Sequence, residues 1–312
     1  MKAKMNRLLF PFAIVWFINS YAQNTAEKLG YPKDAKLLII HADDLGVSHS
    51  ENIASIKAIE KGCVNSASIM VPCPWFPEIA DYAKKHHNFD FGLHLTLTSE
   101  WKYYKWGPSL LDERTASFRN KQGYFYDNVA DVATYGKPEN LRFELLAQIQ
   151  KAKDAGIDIT HLDAHMGAVM ATPEFLETYI KTGKEYRLPV LLSKGIPAMA
   201  SEKIQSLLTT NDVIVDAVFS ASPIDFKDGM EKFYTKVLND LGPGLNCLLI
   251  HTSFDDKEMQ AITVDHADWG ATWRQADFDF FSSEKCSALI TENNIVLVTW
   301  REIRDKITRA EP

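Results

Sequence analysis

From Lys36 onward, short apolar runs alternate with amphipathic stretches. The apolar runs predict strands at 36–42, 66–71, 91–97, 159–165, 189–193, 213–219, 246–251 and 295–299. The stretch 50–61 carries Ile53, Ile56 and Ile59 on one stripe and meets Gly62, where a helix would stop. A second helix is expected over 141–155, ending at Gly156, and a third opens at Thr172-Pro173 and runs to Tyr186. Further helices are expected over 226–241 and 277–293. Strand followed by helix, repeated, predicts a parallel sheet with helical crossovers. The fold class is α/β, and a single distorted (β/α) TIM-like barrel is preferred to an open sheet. The turn after the first strand, Ala42-Asp43-Asp44-Leu45-Gly46, offers carboxylates where a phosphate cradle needs backbone amides. The stretch 101–138, rich in Trp, Tyr and Gly, has no clear period and reads as a lid or a substrate wall.

Composition narrows the function. The chain has 312 residues and a formal net charge of −7, with no basic run outside the N-terminus, which excludes a nucleic-acid footprint. Lys2, Lys4 and Arg7 precede an apolar run at 8–18, and Ser20 and Ala22 fit a cleavage site. A cleaved signal peptide over 1–22 and a mature domain over 30–312 are therefore expected. The apolar run is too short for a membrane span, and export to the periplasm or the exterior follows. Cleavage would remove three positive charges and take the net charge to −10. Cys63, Cys73, Cys247 and Cys286 form no C-x-x-C pair, so a cysteine zinc site is unsupported, while export would permit disulfides whose pairing stays open. Cys247 reads as a buried small residue.

Chemistry gathers at the strand ends. Asp43 and Asp44 follow the first strand, and the pleat would turn them in different directions, one to bind a metal and the other to take a proton from water. An Asp pair capping the next helix is the competing reading. In Gly92-Leu93-His94-Leu95-Thr96-Leu97-Thr98 the leucines share one face, leaving His94 and the threonines for a polar barrel interior. In Thr160-His161-Leu162-Asp163-Ala164-His165 the strand period places both imidazoles and the carboxylate on one face. That trio, within about 7 Å of strand, signals a metal site more strongly than a buried hydrogen-bond network. A late apolar strand ends in His251, which is suited to proton transfer. His49, His86, His87 and His266 fall on expected helices or loops and receive no role.

Together these motifs resemble the YdjC-like carbohydrate deacetylases of the ChbG/HpnK type, in order and spacing from about Lys36 to Ile307. The segments Trp273-Arg274 and Trp300-Arg301-Glu302-Ile303 resemble the C-terminal part of that family. The resemblance implies a divalent cation on Asp44, His94 and His165, with Asp43 as general base and His251 as general acid. The substrate it implies is an N-acetylated amino-sugar oligosaccharide. Zinc suits the mixed nitrogen and oxygen ligands, with Mg2+ or another divalent ion as the alternative. Asp163 or His161 would orient a ligand imidazole. Trp101, Tyr103, Tyr104 and Trp106 offer faces on which sugars could stack, and Arg274 joins them as a substrate or supporting residue. A homodimer is compatible with this reading. Two positions depart from the family pattern, Gly167 where a further His is usual and Thr252 where Pro is usual.

Three competing functions stay open at this level. A metal-dependent phosphohydrolase would release phosphate rather than acetate. A glycoside hydrolase working through Asp43 and Asp163 would survive a chelator. A sugar-binding barrel without activity would bind glycans and turn nothing over.

Overall fold

The structure, a computed structural model, describes residues 23–196 and 201–310. The expected signal segment over 1–22 lies outside the described residues. Seven parallel strands are found among the described residues: β1 Lys36–Leu45, β2 Ser66–Ile69, β3 Phe91–Leu95, β4 Leu162–Ala164, β5 Ala217–Ser220, β6 Gly244–Ile250 and β7 Ile295–Leu297. Their order is β4-β3-β2-β1-β6-β5, and β7 pairs with the first residues of β1. All pairings are parallel, and helices fill the connections, as the β-then-α alternation requires.

The expected strand at 189–193 survives only as isolated bridges. Val190 pairs with Leu162, and Ser193 pairs with Val215 just before β5. Those bridges carry the hydrogen bonding from β4 round to β5, and so close a distorted barrel.

The helices follow their sequence signals with two exceptions. Ser48 caps helix His49–Lys61, and Thr172 caps helix Pro173–Tyr186 with Pro at the first turn. The helix expected over 226–241 breaks into Pro223–Asp228 and Met230–Asn239 at Gly229, whose φ of +106° no helix accommodates. The one expected over 277–293 is likewise two, Ala271–Phe281 and Glu284–Glu292, because Ser283 caps the second. Ala26 and Leu29 of the short helix Thr25–Leu29 are buried, so packed structure begins before residue 30. No helix among the described residues is long and apolar enough to cross a membrane. The four cysteines are buried thiols, and Cys247 sits on β6 as a small core residue.

The alternation along β1 explains how the barrel makes a site. Leu38, Ile40 and Ala42 join the core beneath the helices. Leu37 and Ile39 point the other way and pack with Leu245, Cys247, Val215 and Trp300 in the lower barrel. His41 and Asp43 continue that inward column, so the interior changes from apolar to polar one residue pair above Ile39. The next layer includes His161, which stands edge-on to His41 with centroids 4.9 Å apart. A Cβ at Gly92 would lie 2.3 Å from the His161 ring, so only glycine admits this imidazole.

Candidate metal centre

Three chain segments deliver the candidate ligands to the upper rim of the barrel: β1 brings Asp44, β3 brings His94, and the residue after β4 is His165. Asp44 takes the left-handed conformation at φ +68°, which an aspartate tolerates, and the β1–β2 register slips there. The expected parting of Asp43 and Asp44 by the pleat therefore does not occur. The backbone turn breaks the alternation, and both carboxylates enter the same cavity.

Lone pairs converge on Asp44 Oδ1. It lies 3.3 Å from His94 Nε2 and 3.2 Å from His165 Nδ1. The far nitrogen of each imidazole is held by a carboxylate, His94 Nδ1 by Asp163 Oδ1 at 2.8 Å and His165 Nε2 by Glu100 Oε2 at 3.0 Å. A carboxylate only accepts, so those nitrogens carry protons, and each ring turns its other nitrogen, the one a metal ion would claim, toward Asp44. Asp44 Oδ1 is buried and has no hydrogen-bond partner. Two imidazole nitrogens facing an orphaned carboxylate oxygen call for positive charge between them, and the Asp-His-His donor set fits a divalent ion with open positions.

The electrostatics agree with that fit. Burial opposes charge on His165, but Glu100 and Asp44 outweigh it and raise the imidazole to about 9. His94 is raised in the same way, against burial, by Asp163 and Asp43. Burial would raise Asp44, yet Arg274 and the two imidazoles hold its carboxyl well below the usual range. The pocket attracts positive charge wherever it can be bound.

Asp43 and His251 flank this point. Asp43 Oδ1 is engaged, accepting from Ser68 Oγ at 3.3 Å and lying 3.1 Å from His41 Nε2. Burial opposes charge on His41, but Asp163 and Asp43 raise it to about 9, so a charged imidazole sits beneath both carboxylates. Asp43 Oδ2 faces His251 Nε2 at 3.9 Å. Burial pushes His251 down to about 4, so its ring is neutral near pH 7.

The other expected site residues divide. Asp163 hydrogen-bonds His94 Nδ1 at 2.8 Å, whereas His161 touches none of the candidate ligands. His161 lies one layer lower, its Nδ1 2.8 Å from Thr160 Oγ1 and its ring stacked on Trp300. Strand β3 stops at Leu95, and Thr96 bonds its hydroxyl to the His94 carbonyl, so neither Thr96 nor Thr98 lines the cavity. Trp101 does line the cavity, beneath the Arg274 guanidinium. Trp106 is buried away from it, its indole N–H donating to the Thr98 carbonyl at 2.8 Å. Tyr103 is 75% exposed and outside the cavity, and Tyr104 donates to the Val47 carbonyl. Arg274 is fully engaged, reaching Asp44 and Glu51 at 2.8 Å each. Thr252 is buried against Ser55 and does not line the cavity, while Gly167 at φ +71° lines it with open space in front.

The cavity has a volume of about 820 Å³. Sequence reasoning missed Glu100, Asp127, Asp268 and Trp269 on its walls, and left His266 without a role although it lines the same cavity. The position of Glu100 just past a strand end was the available signal. The stretch 101–138 does supply a wall through Trp101 and Asp127, but it carries its own short helices, Glu113–Phe118 and Val129–Tyr135.

Comparison with known proteins agrees with this architecture. The family model for YdjC-like proteins matches residues 37–292. A carbohydrate deacetylase of Thermus thermophilus is 30% identical, over 87% of this chain and 95% of its own length. A carbohydrate deacetylase of Thermoanaerobacter pseudethanolicus is 25% identical, over 85% of this chain and 98% of its own. A crystal structure from Enterococcus faecalis, described as a cellobiose-phosphate cleavage protein, shares the fold with a TM-score of 0.70 and 22% identity. It covers 86% of this chain and 99% of that one.

Proposed function

The chain belongs to the YdjC-like protein family, and from that membership we propose that it is a metal-dependent carbohydrate deacetylase. It removes N-acetyl groups from amino-sugar oligosaccharides. The observation that carries this reading is the convergence of Asp44, His94 and His165 on one orphaned oxygen, with Asp43 and His251 beside it. Its relatives of similar length named carbohydrate deacetylase support the substrate class.

A divalent ion held by Asp44, His94 and His165, zinc by the chemistry of the donors, would polarise the acetyl carbonyl and acidify a water. Asp43 is the base. Its Oδ1 is tied down by Ser68 and His41, which leaves Oδ2 to take the water proton. His251 starts neutral and so cannot open the reaction as an acid. Across 3.9 Å from Asp43 Oδ2, it receives that proton and delivers it to the departing sugar nitrogen. Asp163 and Glu100 fix the ligand rings in the tautomers that leave a lone pair for the ion. Export to the periplasm or the exterior is part of the same proposal and rests on the basic, apolar and small residues of positions 1–22.

Acetate release from N-acetylated chito-oligosaccharides tests the reading. Release that stops on chelation and returns with zinc is expected. Phosphate release from sugar phosphates, or glycan cleavage that survives the chelator, would replace it with another hydrolase.

A further inference from the structure

The cavity walls beyond the ligands carry a consistent charge. Glu100, Asp127 and Asp268 line it together with Asp43 and Asp44, and Arg274 is the one lysine or arginine among the described lining residues. Every nitrogen of that guanidinium is taken: Nε by the Trp269 carbonyl at 2.7 Å, the others by Glu51 and Asp44. Lys105 comes near only through Asp127, at 2.9 Å, and also donates to the Ser99 carbonyl. Among the described lining residues, no guanidinium or ammonium is therefore spare to clamp an anion.

Asp268 differs from the other carboxylates. It is exposed and pairs with none of the described residues. Its neighbour Trp269 presents a firmly held face. The Trp269 carbonyl is gripped by Arg274, and its ring stacks on Trp273 at 4.9 Å, which stacks in turn on Phe226. Trp269 keeps φ at +55°, a costly conformation for a bulky residue, and stays 37% exposed. A flat aromatic face beside a free carboxylate suits a sugar ring that bears an amine.

We propose that this cavity selects amino-sugar chains that are uncharged or carry free amines, with Trp269 and Asp268 as the specificity-determining pair, and rejects chains bearing phosphate or carboxylate. The proposal rests on the deacetylase reading and specifies its substrate class. A cleft whose lining charge is predominantly of one sign concentrates the opposite sign and repels its own.

Binding of three sugars that cannot be deacetylated isolates the charge preference from turnover. The zinc-loaded wild-type protein is titrated calorimetrically with cellobiose, cellobiose 6-phosphate and the glucosamine disaccharide. Phosphorylation is expected to weaken cellobiose binding by about tenfold or more at low salt, and the gap should narrow as salt screens it. The glucosamine disaccharide should bind more tightly than cellobiose, and Asp268→Asn should remove most of that advantage. Trp269→Ala should weaken all three. Equal or tighter binding of the phosphorylated sugar, or no binding of any, overturns the proposal. A protein that ranks the sugars as expected, yet frees no acetate from the di-N-acetylated disaccharide, keeps this preference and loses the deacetylase reading.

Discussion

Glu100 Oε2 accepts the Nε2 proton of His165 at 3.0 Å, and so commits Nδ1 of that ring, 3.2 Å from Asp44, to the role of lone-pair donor. A supporting carboxylate of this kind sets both the tautomer and the basicity of a metal ligand. Glu100→Gln is expected to weaken metal binding by about 10–100-fold while the fold stays intact. Competition with a chromophoric chelator measures it, and unchanged affinity would show that Glu100 is not needed to orient the ligand.

The three ligands themselves should behave as a set. Asp44→Ala, His94→Ala and His165→Ala are each expected to lose the bound divalent ion, with circular dichroism like that of the wild type. They sit at the rim, above the apolar layer of Leu37, Ile39 and Trp300 that holds the barrel together. Full metal occupancy in any two of them would sink the assignment.

Asp43 and Asp44 are neighbours with separate tasks. Asp43→Asn should keep the metal and lose about 10²–10⁴-fold in turnover, because asparagine preserves the shape but cannot take a proton. Loss of metal in Asp43→Asn with retention in Asp44→Asn would exchange the two roles.

Away from the site, Glu144 makes a prediction about pH. Burial raises its carboxyl to about 7, although the Ser109 amide and Gln148 favour the charged form. The folded value lies above the unfolded one, so the protonated group favours the fold. Its contribution is complete below about pH 4.5 and declines as pH rises through about 7. Glu144→Gln should flatten this part of the stability–pH curve, its stability relative to wild type improving by about 2–3 kcal/mol between pH 5 and pH 8 on top of a pH-independent cost at the Ser109 and Leu110 amides. Urea melts of both proteins at pH 5 and pH 8 measure it, and parallel curves would refute it.

Much of the barrel was legible in the sequence because its signals are local. The alternation of Leu93 and Leu95 with His94 follows from the two-residue period of a strand, and Ser48 and Thr172 cap their helices by bonds spanning three residues. The same period placed Asp163 and His94 inside the barrel. It could not separate Asp163 from His161, since both face inward and only depth along the barrel axis distinguishes them. Nor could it foresee that Asp44 adopts φ +68°, and one such dihedral cancels the parity that would have parted the two aspartates. The partnerships of the site join residues far apart in the chain: Glu100 with His165, Arg274 with Asp44, and His41 with Asp163. No periodicity encodes such pairs, because each arises where strand ends and loops meet in space. The sequence determined which side chains could do the chemistry. The closing of the barrel decided which of them meet, in which tautomer, and beneath which charged wall.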